Sequence, residues 1–265
     1  MRCALSVVRG QRLESTRCVT RGRDMQGDEC SMMRNVMMAV VVGLVSVVAM
    51  AEEQRKDNTP PEGFVAVFNG KDLEGWKGLL DPKKKLDNPF NSANLSPDER
   101  AKAQAEADEN MRAHWKAEDG ALVFDGKGRS LCTAKDYGDF EMWVDWKILP
   151  KGDSGIYLRG SPQVQIWDTA NANASVGSGG LFNNKKNPSK PLVVADKPVG
   201  EWNTFWIKMV GDKVWVKLNG QLVVDGVVLE NYWDYSKPIF EKGDIQLQNH
   251  GNTLWFKNIY LKELK

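Results

Sequence analysis

Four glutamines, an arginine, a histidine, two carboxylates and two large aromatics fall at alternate positions of apolar runs. Along 140–148, Phe140, Met142, Val144, Trp146 and Ile148 alternate with Glu141, Trp143, Asp145 and Lys147. Ile156 and Leu158 oppose Tyr157 and Arg159; Val164 and Ile166 oppose Gln163, Gln165 and Trp167; Ile245 and Leu247 oppose Asp244, Gln246, Gln248 and His250. Successive strand side chains point to opposite faces. If these strands are neighbours, their polar halves pool into one surface carrying Glu141, Trp143, Asp145, Tyr157, Arg159, Gln163, Gln165, Gln246, Gln248 and His250. Such a surface suits a neutral polyol. Planar amides, carboxylates and guanidinium serve ring hydroxyls as both donors and acceptors. Tryptophan and tyrosine rings stack on the C–H faces of a sugar while their polar tips find partners. An ordinary solvated sheet face would favour Lys, Glu and Thr instead.

Among the candidates for bond-making chemistry, His250 could take a proton near neutral pH or ligate a divalent metal with a nearby carboxylate. A hydrogen-bonded loop histidine before Gly251 is the alternative. Glu141 and Asp145 lie four residues apart on one face, roughly 13 Å along a strand. That is too far for the ~5 Å of a retaining glycosidase pair and wide for the ~6.5–9.5 Å of an inverting pair. Asp168 falls off the polar face by strict alternation, but as a strand-end residue it could turn inward at the rim. Cys132 reads as buried filler and His114 as structural. No zinc-type Cys/His spacing, Gly-rich phosphate loop or serine nucleophile elbow is present.

The elements that must position these groups are almost all strands. From His114 onward, short runs rich in branched and aromatic residues follow one another, and Leu218-Asn219-Gly220-Gln221 joins two of them by a two-residue hairpin turn. This predicts an all-β, two-sheet antiparallel sandwich. One short helix is expected as an insertion, from the capping box Ser96-Pro97-Asp98-Glu99 to about Ala113. The Gly/Asn/Lys/Pro-rich stretch 171–197 is long enough for a working loop.

The amino-terminal part reads differently. Residues 33–51 place Arg34 before an apolar run that ends in Ala49-Met50-Ala51, the pattern of a secretory signal peptide cleaved after Ala51. The run is short of the ~20 residues of a spanning helix, so no membrane span is expected after cleavage. The Arg-rich residues 1–31 suggest a start assigned too early, with Met32 or Met33 the true start. Residues 52–62 read as a linker and 63–265 as the sugar-active domain. Cys3, Cys18 and Cys30 precede the cleavage point, which leaves Cys132 without a disulfide partner. Beyond Ala51 there are 29 basic and 31 acidic residues, which is no footprint for nucleic acid. A secreted or periplasmic protein with a carbohydrate partner is expected.

Several stretches together resemble the bacterial 3-keto-disaccharide hydrolase domain family. They include Gly63-Phe-Val-Ala-Val-Phe-Asn-Gly-Lys-Asp-Leu-Glu-Gly-Trp76, Tyr137-Gly-Asp-Phe-Glu-Met-Trp-Val-Asp-Trp146, Asp153-Ser-Gly-Ile-Tyr-Leu-Arg-Gly160, Gln163-Val-Gln-Ile-Trp-Asp168 and Ile245-Gln-Leu-Gln-Asn-His-Gly251. The resemblance implies a concanavalin A-like jelly roll and cleavage of glycosides oxidised at C3. A 3-keto group acidifies the C2 hydrogen, so a base can remove it and expel the C1 substituent, after which water adds. On that footing His250 or Asp145 is the base, with Glu141 and Asp168 as further carboxylate candidates. Arg159, or a divalent metal held by His250 and carboxylates, would stabilise the enolate. Many members carry Tyr-Glu where this chain has Pro162-Gln163, so a carboxylate there is replaced by a neutral amide. Two other functions fit the same sequence: a non-catalytic carbohydrate-binding module, and a scaffold domain with an apolar patch around Trp233 and Tyr235.

Overall fold

Alternation along the strand Phe140–Ile148 organises the molecule: Phe140, Met142, Val144, Trp146 and Ile148 are buried and the residues between them are half-exposed. A strand of that pattern must lay one face on a core. The computed structural model describes residues 56–170, 174 and 176–265. The expected signal peptide, its cleavage point and the alternative starts lie outside the described residues.

Thirteen strands form two antiparallel sheets. In chain order they are β1 (Val65–Ala66), β2 (Trp76–Gly78), β3 (Trp115–Glu118), β4 (Ala121–Phe124), β5 (Leu131–Thr133), β6 (Phe140–Ile148), β7 (Asp153–Leu158), β8 (Ser161–Trp167), β9 (Asn203–Val210), β10 (Lys213–Leu218), β11 (Gln221–Val228), β12 (Gln246–Leu247) and β13 (Leu254–Glu263). The larger sheet runs β11-β10-β9-β6-β13-β4-β3, with β1 also on β13; the smaller runs β2-β5-β12-β7-β8. Phe140, Met142, Val144 and Phe205 from the first sheet and Leu131, Ile156, Leu158, Val164 and Leu247 from the second belong to one buried cluster. The protein is thus a two-sheet antiparallel β-sandwich, as its alternation predicts, and a jelly roll, as the resemblance implies. The expected Asn-Gly hairpin joins β10 to β11: Asn219 and Gly220 both take positive φ, and Leu218 pairs with Gln221.

Among the described residues two α-helices interrupt the strands, α1 (Pro89–Ser92) and α2 (Pro97–His114), after a 3-10 turn at Pro82–Lys84. The Ser96/Glu99 capping box forms as its spacing predicts, with Pro97 in the first turn. Ala107 and Met111 of α2 are buried. The helix lies along β2, an edge strand whose backbone would otherwise be open to strangers. Asp108 accepts from the Gly78 N–H at 2.9 Å, and Gln104 donates to the Gly78 carbonyl at 3.0 Å. Only glycine fits at 78, because a Cβ there would overlap the Ala107 carbonyl. No helix among the described residues is long and apolar enough to cross a membrane.

Candidate functional site

The outer face of the five-stranded sheet is polar, and its register can be read row by row. Lys77, Cys132, Gln246 and Tyr157 are successive cross-strand partners, so they form one row on one face. The next row holds Gln248, whose N–H donates to the Gly155 carbonyl at 2.9 Å, and Gln165, the partner of Gly155. A third pairs Asp153 with Trp167.

Over the last two rows lies a cleft of about 200 Å³. Its floor is tied in a chain. The Gln165 side-chain N–H donates to Asp153 Oδ1 at 2.8 Å and to the Ser154 carbonyl at 3.0 Å. That aims Gln165 Oε1 at the Gln163 amide nitrogen, which donates to it. The orientation of Gln163 follows, and its Oε1 is left buried without a protein donor. Asn183 Oδ1 and Gln248 Oε1, in the walls of the same cleft, are buried without a donor as well. All three amides belong to residues that line the cleft, and an unpaired buried acceptor costs ~1–3 kcal/mol. Trp167 ties its ring N–H to the Gly177 carbonyl at 2.9 Å and stacks edge-on with Phe182 at 5.2 Å, leaving aromatic surface to the cleft.

His250 stands at the rim with its side chain 59 % exposed, Nδ1 3.8 Å from Asp153 Oδ2. Tyr157 is largely buried, which pushes its phenol well above the ordinary value; the Gln248 amide, donating to its oxygen at 3.3 Å, lowers it in part. The hydroxyl therefore stays protonated at neutral pH. Among the described residues no group of three or more His, Cys, Asp or Glu side chains is placed to hold a metal. An ion on His250 and Asp153 would have to complete its shell with amide, water or substrate oxygens.

The single pooled surface expected from alternation is corrected. Glu141, Trp143 and Asp145 belong to β6, in the other sheet, and face outward on the far side of the core. Glu141 pairs with Lys208 at 3.7 Å. Trp143 sits opposite Trp206 and Tyr260. Asp145 accepts from the Thr204 hydroxyl at 2.6 Å and the Asn258 amide at 2.7 Å, while burial raises its carboxyl. Period two says which residues of a strand share a face, and nothing about which sheet that strand joins.

Two more expected residues turn to other work. Arg159 is 3 % exposed and donates to the carbonyls of Gly138 (2.8 Å), Gly211 (2.9 Å) and Phe240 (3.2 Å) and to Asp139. Its guanidinium ties three loops together, and Arg159 does not line the cleft. Asp168 is buried and accepts from the Lys151 N–H at 2.7 Å and the Ala170 N–H at 2.8 Å, organising two turns. Gln246 shares the sheet face but lies beyond Tyr157, with its amide on Asp244 at 2.9 Å. His114 bonds Asp125 at 2.9 Å, and burial pushes the Cys132 thiol well up.

Sequence reading missed Asp153, Pro162, Phe182, Asn183 and Tyr232 among the residues that line the cleft. Asp153 was findable: it precedes Gly155 and Tyr157 on the same alternation. Phe182, Asn183 and Tyr232 come from loops, which carry no periodicity to follow. Trp233 and Tyr235, read as a patch, direct their polar atoms inward, to the Gly160 and Asn183 carbonyls.

The smaller sheet of this jelly-roll sandwich carries a polar, aromatic-walled cleft, and the proteins the chain resembles are named for action on glycosides. The chain belongs to the 3-keto-alpha-glucoside-1,2-lyase-like domain family, whose model matches residues 63–262. It is 23% identical over 258 residues to a 3-keto-disaccharide hydrolase of Bacteroides thetaiotaomicron, covering 77% of this chain and 79% of that one. Two crystal structures from Parabacteroides distasonis, described provisionally as glycosyl hydrolases, share the fold. One has a TM-score of 0.58 at 22% identity, covering 79% of this chain and 100% of that chain; the other has 0.54 at 23%, covering 81% and 96%.

Proposed function

We propose that this protein cleaves glycosides whose sugar carries a ketone at C3, with the oxidised ring held in the cleft of the five-stranded sheet. The observation that carries the reading is the set of donor-less amide oxygens of Gln163, Asn183 and Gln248, which sugar hydroxyls would satisfy. His250, beside Asp153, takes the proton from C2. The electron pair of that C–H bond moves into the C2–C3 bond as the ketone becomes an enolate. It returns to form the C1–C2 double bond as the C1–O bond breaks, and the leaving oxygen takes the proton that His250 removed from C2. Water then adds across the double bond, so the net reaction is hydrolysis. Tyr157 supplies the O–H that stabilises the enolate oxygen. Arg159 has no share in that task, because its N–H groups are committed to the loops around it.

Incubating the protein with a 3-keto-disaccharide and with the same disaccharide unoxidised tests this. Release of the second sugar from the keto form alone is expected. Retention of both without turnover would make the protein a binding module. A second expectation concerns Gly155. An alanine Cβ there would stand 2.8 Å from Gln163 Cδ and push the amide out of place. Gly155→Ala should weaken sugar binding about tenfold, the loss of roughly one hydrogen bond to an uncharged partner. Titration calorimetry reads it, and wild-type affinity would take Gln163 out of the site.

The chain is also proposed to be exported, on the strength of the apolar run ending at Ala51. Amino-terminal sequencing of protein recovered from outside the cytoplasm should begin at Glu52, and an intact leader would refute it.

A further inference from the structure

Beyond Tyr157 the same sheet face carries a second cavity, of about 240 Å³. Its floor is the rest of the Tyr157 row: Gln246, Cys132 and Lys77. We propose that this chamber is the leaving-group subsite, receiving the second sugar ring of a disaccharide whose oxidised ring lies in the cleft. The inference rests on the cleavage reading above and extends it to the shape of the substrate.

Spacing supports the assignment. Gln248 serves the cleft and Gln246 the chamber. They are alternate residues of one strand, so their side chains leave the same face roughly 7 Å apart. Adjoining rings of a disaccharide need a separation of that order. Tyr157, in the same row as Gln246, lines the cleft and stands between the two spaces.

The lining chemistry also fits a hydroxylated ring. Asp244 is 19 % exposed, with Lys77 Nζ 3.5 Å from Oδ2 and the Gln246 amide on Oδ1 at 2.9 Å. A sugar hydroxyl donates and accepts at once, so it can bridge the carboxylate and the ammonium. Pro89 and Phe240 add apolar surface for C–H faces. The wall on that side comes from the inserted segment: Arg100 and Gln104 of α2 line the chamber, and Arg100 donates to the Ser92 carbonyl, fastening α1 to α2. A plain sandwich lacks this wall, which gives the insertion a purpose beyond covering the edge of β2.

Stability offers an independent check. Burial raises the Asp244 carboxyl, with Lys77 and Gln246 lowering it in part. A folded-state value above the unfolded one means that ionisation at neutral pH opposes folding, and that the opposition fades as pH falls toward the folded value.

The test uses the full-length mature protein with Lys77→Met and Asp244→Asn, assayed on a 3-keto-disaccharide and on methyl 3-keto-glucoside. Each variant should lose at least tenfold in kcat/KM on the disaccharide and less than threefold on the methyl glycoside. Asp244→Asn should keep or raise Tm. Equal losses on both substrates, or no loss on either, would overturn the subsite. If the wild-type protein turns over neither substrate, the cleavage reading fails, and glucose titration followed by amide NMR decides the chamber separately. Saturable shifts at Gln246 that vanish in Lys77→Met sustain a sugar site there, and a silent titration removes it.

Discussion

Replacing His250 with alanine should lower kcat on a 3-keto-glycoside by about 10²–10⁴-fold, the usual worth of a positioned general base. The fold should be untouched, because the side chain is more than half exposed and its one close polar neighbour is Asp153 at 3.8 Å. KM should change little, since the sugar is gripped by the amides deeper in the cleft and a base acts mainly in the transition state. Asp153→Asn is a useful contrast. Its Oδ1 anchors Gln165, and through it Gln163, so this change should raise KM as well as lower kcat. Steady-state kinetics on the two variants separates the roles. Full turnover by His250→Ala would assign proton removal to another group, and Asp153 is the carboxylate within reach.

The largest stability effect should come from Arg159, a residue whose place in the Ser-Gly-Ile-Tyr-Leu-Arg-Gly run suggests binding. Arg159→Met should cost at least about 3 kcal/mol, because three loop carbonyls and Asp139 lose a nearly buried cationic partner at once. Lysine should restore little of it, since one ammonium cannot match the fork of a guanidinium. Urea unfolding reads the loss as a lower midpoint at constant slope. Turnover of methyl 3-keto-glucoside, which does not occupy the chamber that Arg159 helps to line, should stay within about threefold of wild type per folded molecule. A stable variant with abolished turnover would return Arg159 to the site.

What could be read directly from the residues is the local physics. Alternation in 140–148 announced a strand with one buried face, and β6 follows it; 163–167 is a strand as expected, but β8 is buried on both faces from Ser161 to Ile166. The Asn219-Gly220 turn and the Ser96/Glu99 cap are set by neighbours within four positions, so no distant contact could displace them. The polarity of Tyr157, Gln163, Gln165 and Gln248 was visible for the same reason, and these four do line one cleft. Leaving Asp153 out was a matter of one strand boundary, the least determined part of any strand.

Sheet membership was another matter. Glu141 and Asp145 have the same alternation as Gln163 and Gln165, yet they face outward from the opposite sheet, because strand partners are chosen by burial across the whole chain. Arg159 has the polar phase of Tyr157, but it stands past the end of β7 with φ of 53°, where the strand's alternation no longer aims the side chain. Asn183 and Tyr232 reach the cleft through loops whose course depends on what they pack against. The sequence by itself therefore determined the strands, their turns and which side of each was polar, since those depend on spacing along the backbone. Only the tertiary structure decided which polar sides meet, because that depends on how two sheets share a single core.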